Sequence, residues 1–228
     1  MKIIIDNIEI KVTKKKVKNI NLSVHPPYGE VRISAPFAVK DETIRLFALA
    51  KLQWIKKQQI KFKDLEVVAP LNYVMGESHY FLGDKYLLNM IYIDKGRSKV
   101  EIRDGAYMDL YVKVGSTQLE REKLIKEWHR KQLKLMIPPL IKKWEEVMGV
   151  KVEEFGVKQM KTRWGTCNTS ARRIWINLEL AKKSPHCLEY IVVHEMVHLL
   201  ERSHNHKFKA YMNQFLPNWE SIKSELNK

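Results

Sequence analysis

An α+β fold is predicted by three features of this 228-residue sequence. Its first half alternates β-branched and polar residues in short runs, broken by Gly, Pro, Asp-Asn and Asp-Gly. Two long stretches, near 42–62 and 117–148, repeat apolar residues at helical spacing. A later apolar stretch ahead of His194 reads as a buried helix. The expected architecture is a β-rich N-terminal module with one long helix over residues 1–115, followed by a mainly helical domain with a small edge-strand sheet over residues 116–228.

Ile8, Ile10 and Val12 alternate with charge, after a turn at Asp6-Asn7. Ile20, Leu22 and Val24 form the apolar side of the next strand, and a turn at Pro26-Pro27-Tyr28-Gly29 joins it to Glu30–Ala35 as a hairpin. Asp41 is placed as the cap of a helix from about 42 to 62, with Ile44, Phe47, Ala48, Leu52 and Ile55 on one face. Residues 64–71 read as a linker. Short strands are expected at Tyr73–Val74, His79–Leu82, Tyr86–Ile93, Lys99–Arg103 and Ala106–Val114, with a tight turn at Asp104-Gly105. Ser116 or Thr117 then caps a second long helix, with Glu120 spaced for a capping box. Pro138-Pro139 should kink or split that helix, and Gly149 should end it. Residues 150–158 look extended, and Arg163–Cys167 is a compact loop leading to a strand at Ile174–Leu178.

The composition is 45% hydrophobic, and no apolar run reaches the ~18 residues of a membrane span. Two cysteines, Cys167 and Cys187, make no disulfide framework, and the N-terminus is charged too early for a secretory signal, so a reduced, cytoplasmic setting is expected. The net charge of +15 invites DNA or another polyanion as a partner. The surplus is spread evenly, with 20 Lys and Arg against 13 Asp and Glu in residues 1–115 and 21 against 13 in the rest. Charge alone therefore points to no one surface.

The chemistry concentrates in Val192–His204. His194 and His198 are four apart on the expected helix and project from one face, separated by about one turn (~5.4 Å). That suits two imidazoles on one Zn²⁺. A catalytic zinc site needs three protein ligands and one open position. His204 can supply the third if the helix ends near Arg202–Ser203 and the chain turns back. Glu195 then stands beside the site as general base for a metal-activated water. Ser184 followed by Pro185 marks the helix start. His206 and Glu220 are alternative ligands, and Cys167 is an accessory one or a buried thiol. After His204, a short helix carries Phe208, Tyr211, Met212 and Phe215 and ends at Pro217, with Trp219 and Ile222 as a packed tail. His129 and His186 read as surface or capping residues.

The set Arg163-Trp164-Gly165-x-Cys167, Asn177-Leu178, Tyr190–His194-Glu195-x-x-His198-Leu199 and Ser203-His204 with Phe208 resembles the YgjP-like metallopeptidase family, a zincin group related in motif to the SprT and WLM proteases. The N-terminal half is similar too, in its Lys-rich strand pair, Ala35-Pro36 and Lys51–Ile55. The resemblance implies one Zn²⁺ held by His194, His198 and His204, with Glu195 as base, acting on peptide or protein. Thr166 and Ser203 stand where the family usually has Ser and Asn, changes confined to local hydrogen bonding. In zincins the strand before the metal helix is an exposed edge to which substrate adds as a further strand. Ile174, Ile176 and Asn177 are placed there as substrate-binding residues, with Arg163 and Trp164 beside them. A DNA-recruited protease, a nucleic-acid-binding module and a catalytically silent zinc protein are the competing readings.

Overall fold

The computed structural model describes residues 1–25, 28–64 and 71–227, with residues 61–64 described only as helix. The chain forms two compact units, Met1–Pro70 and Leu71–Lys228.

The first unit holds β1 (Lys2–Ile5), β2 (Ile8–Lys14), β3 (Asn21–His25) and β4 (Glu30–Ala35), ordered β1-β2-β4-β3. Asp6 and Asn7 both take positive φ, 49° and 62°, the twist that closes the β1–β2 hairpin. β3 and β4 pair antiparallel as the hairpin requires, although Pro26 and Pro27 of its turn lie outside the described residues. β2 and β4 pair in parallel. Ile10, Val12, Val31 and Ile33 bury one sheet face with Ile44, Ala48 and Ile55. The expected single helix is two, α1 (Asp41–Ala50) and α2 (Leu52–Asp64). The break falls at Lys51, whose backbone leaves helical geometry at φ −100°, ψ 5°, and neither Gly nor Pro marks it. Asp41 is the first residue of α1 rather than its cap, which is Lys40. Most of the expected linker, 65–70, lies outside the described residues.

The second unit begins with β5 (Ser78–Phe81), β6 (Asp84–Tyr92), β7 (Lys99–Arg103) and β8 (Tyr107–Val112), ordered β5-β6-β8-β7. No strand forms at Tyr73–Val74, because Tyr73 sits at φ 56° with its N–H donated to the Glu77 carboxylate at 2.8 Å. α3 (Gln118–Met148) starts with the full Thr117–Glu120 capping box and stops at Gly149, φ 66°. It runs unbroken through Pro138 and Pro139, against expectation. Leu133, Ile137, Ile141 and Trp144 are buried on both sides of the prolines, so packing holds the helix across the lost N–H donors.

α3 also links two cores within the second unit. Ile125, with Leu124 and Trp128, joins the core of the β5–β8 sheet, while Leu133 onward joins the core that follows. The boundary near 115 suggested by the sequence therefore falls inside the second unit.

That second core packs α3 against β9 (Glu154–Lys158), β10 (Gly165–Asn168), β11 (Arg173–Asn177), a 3-10 turn at Leu178–Lys182, α4 (Pro185–Val197), α5 (His206–Phe215) and α6 (Trp219–Leu226). The expected tail at Trp219 and Ile222 is thus a helix with both residues buried. Among the described residues no helix is long and apolar enough to cross a membrane.

Candidate metal centre

From Cys187 to Val197 α4 is buried except at Glu189 and His194, which are partly buried. It ends at Val197, earlier than the sequence suggests, and tightens through Leu199 and Leu200, whose N–H groups bond to Met196 and Val197 carbonyls. The chain then turns back. Asn205 caps α5 by accepting from the N–H groups of Lys207 at 3.0 Å and Phe208 at 3.1 Å, which fixes His204 just ahead of that helix. The buried Phe208 ring lies 4.7–4.9 Å from all three imidazole centroids, a floor beneath them.

His194, His198 and His204 converge, with one ligand nitrogen from each lying within 4.8 Å of the others. His194 Nε2 and His204 Nε2 are 3.0 Å apart. Nitrogens ~2.1 Å from a tetrahedral zinc would be ~3.4 Å apart, so the trio fits a divalent ion with small rotations. His198 Nδ1 lies 3.3 Å from the Glu201 carbonyl, which puts the proton there and leaves Nε2 free to ligate. His194 is held down at about 3 by burial and then by His198, His204 and Lys223, and His198 is lowered chiefly by burial. Both are therefore the neutral imidazoles that a metal needs.

Glu195 is 4% exposed, and its carboxyl lines the same cleft of about 830 Å³. Burial pushes it up to about 8, opposed by Arg163, and the charge of a divalent ion held beside it would favour the carboxylate form that a base needs. Gly165 of β10 makes room for it, since a Cβ there would fall 2.5 Å from Oε1. Cys167 faces this cleft too but does not join the cluster, and burial followed by Glu195 raises its thiol to about 11. His206 and Glu220 are exposed and also stand outside the cluster.

The expected edge strand is displaced by one. β11 is the middle strand, paired in parallel with β9 and antiparallel with β10, and β10 is the edge beside the cleft. Ile174 and Ile176 are fully buried in the core and cannot touch a peptide. Asn177 is buried as well and acts on the loop instead. Its Nδ2 donates to the carbonyls of Arg163 at 2.8 Å and Met160 at 3.0 Å, and its Oδ1 accepts from Met160 and Glu179 N–H at 3.2 Å. Arg163 and Trp164 do line the cleft; the Trp164 indole also packs on the core and reaches Asn227 Oδ1 at 3.4 Å.

Tyr190 lines the cleft one turn before His194, its ring 5.9 Å from that imidazole. The spacing 190, 194, 198 could have disclosed it. Arg202 and Lys223 line the cleft too, and no local pattern announces them. At the far end of α4, Ser184 is the N-cap residue but its hydroxyl does not cap; it donates to Glu225 at 2.8 Å, beside His186 and Cys187. His129, expected as a surface or capping residue, is buried inside α3's packed face.

The whole span 18–228 matches the YgjP-like metallopeptidase domain. The chain belongs to that family. It is a metallopeptidase, a hydrolase that depends on a divalent metal and acts on peptides or proteins. Among solved structures it is similar to the zymogen of abylysin from Pyrococcus abyssi, at 15% identity over 40% of this chain and 90% of that one, with a TM-score of 0.37. It is also similar to the zymogen of jannalysin from Methanocaldococcus jannaschii, at 17% identity over 41% and 92%, with a TM-score of 0.34. No curated protein matches the sequence.

Proposed function

We propose that this YgjP-like protein is a zinc-dependent peptidase in which His194, His198 and His204 hold one zinc ion and Glu195 is the general base. The observation that supports it best is three imidazoles converging beside a buried carboxylate in one cleft. Bound there, zinc supplies Lewis-acid polarisation of the water and of the scissile carbonyl.

The chain's own groups do the rest. The outer edge of β10 offers backbone N–H and C=O groups to an extended peptide and reads little sequence. Glu195, immobilised between α4 and Gly165, takes a proton from the attacking water at its carboxylate and delivers it to the leaving nitrogen. Arg163 offers a guanidinium to the carbonyl oxygen as charge develops on it. Tyr190, whose hydroxyl burial raises to about 12, stays a neutral donor at the cleft wall.

Glu195→Ala is expected to keep its zinc and its melting curve while losing hydrolysis of a labelled unfolded protein. Unchanged turnover in that variant would remove Glu195 from the role of base. We place the protein in the cytoplasm on the strength of its two free thiols, and we propose DNA as an accessory partner only through the general basic surplus.

A further inference from the structure

Three cations line the cleft from three different elements. Arg163 precedes β10, Arg202 follows the turn after α4, and Lys223 stands on α6 over the Trp219 ring. All three are exposed, and among the described residues none forms an ion pair. Other cations of the same unit, such as Lys158 and Lys161, also form no ion pair among the described residues, so what sets these three apart is that they line one cleft. Among the described residues the cleft's single acidic side chain is Glu195, and it is buried. Around a concave site, uncompensated charges of one sign concentrate counter-charged ligands and repel like-charged ones. Guanidinium groups also meet carboxylates in a bidentate fork.

We infer that the cleft selects peptides that carry carboxylates near the bond to be cut and discriminates against Lys- and Arg-rich segments. This rests on the peptidase reading above. The carboxylate has two possible sources, Asp and Glu side chains or the substrate's own C-terminus. Arg163 stands two residues before the free edge of β10, so a peptide added to that strand passes it. Arg202 and Lys223 then meet whatever the peptide projects into the cleft.

The test uses the full-length zinc-loaded protein and four short dansylated peptides of Gly, Ala and Ser. One is amidated and contains internal Asp and Glu, one is amidated with Lys instead, one is amidated and neutral, and one is neutral with a free C-terminus. At low salt the acidic peptide should exceed the Lys peptide about tenfold in kcat/KM, the product of a few exposed charge pairs each worth about two- to three-fold. The difference should lie mainly in KM and shrink as salt rises. In the Arg202→Glu, Lys223→Glu double variant the acidic-to-basic ratio should invert. A free C-terminus that outperforms its amide assigns the carboxylate to the chain end, and an advantage confined to the acidic peptide assigns it to side chains. Equal rates for acidic and basic peptides overturn the inference while leaving the peptidase reading intact. If none of the four is cleaved, binding decides, and equal anisotropy titrations of acidic and basic peptides would overturn the inference as well. Oligothymidylate that displaces the acidic peptide and binds more tightly would reassign the cations to phosphate and overturn it too.

Discussion

The carboxylate of Glu195 lies directly against the backbone of Gly165, at 2.5 Å, 2.7 Å and 2.9 Å from a Cβ on that glycine to Oε1, Cγ and Cδ. The glycine is required by this close approach and not by a left-handed backbone, since Gly165 is absent from the residues with positive φ. It explains why a glycine opens the edge strand at the cleft.

Gly165→Ala should therefore displace the general base without removing a single reacting group. Misplacement on the ångström scale costs up to about a hundredfold in rate, so kcat should fall ~10–100-fold while zinc content and melting temperature stay close to wild type. Wild-type kcat in this variant would show that the carboxylate position is unimportant.

Asn177 holds the loop that delivers Arg163 and Gly165. Its side chain spans four backbone groups, and its removal leaves buried donors and acceptors without partners. Asn177→Ala should cost about 2–3 kcal/mol, read as a lower urea midpoint, and should reduce kcat/KM by disordering the approach to β10. A loss below about 0.5 kcal/mol would contradict this role.

His129 gives the fold an acid-sensitive element away from the metal centre. It is 2% exposed, and its side chain is held down at about 3, first by burial and then by Lys182 and His79. Among the described residues its Nε2 has no hydrogen-bond partner. The folded value lies below the unfolded one of ~6.5, so the unfolded chain binds the extra proton. This contribution is present above ~pH 6.5 and is lost as pH falls from there towards 3. Between pH 7 and pH 5 it amounts to roughly 2 kcal/mol for this one group. Urea unfolding at both pH values should show a shallower acid slope in His129→Leu than in wild type. Parallel slopes would exclude His129 as a contributor.

Much of the site could be read from the sequence because its parts are local. His194, Glu195 and His198 lie within five residues of one helix, and their spacing alone puts two imidazoles on one face. The Thr117–Glu120 box, Gly149 and the Asp6-Asn7 and Asp104-Gly105 turns are likewise decided by neighbours in the chain. The misplaced edge strand had another cause. Ile174 and Ile176 look like one face of a half-exposed strand, but which strand is central depends on β9, some twenty residues earlier, pairing in parallel. β10 is only four residues long and carries Gly165 and Asn168, so it has little strand signal of its own. Pro138 and Pro139 obey the same logic in reverse, since burial of Ile137 and Ile141 against distant residues overrides a local helix breaker. Lys223 enters the cleft from a helix 29 residues beyond His194, a closeness that periodicity cannot show.

X-ray absorption at the zinc edge tests the central claim most directly. Protein loaded with one equivalent of zinc should show a first shell with imidazole signature at ~2.0–2.1 Å and no sulfur, and the His198→Ala variant should lose the ion. A sulfur shell at ~2.3 Å, which only Cys167 or Cys187 could supply, or a first shell unchanged by His198→Ala, would contradict an open three-histidine site.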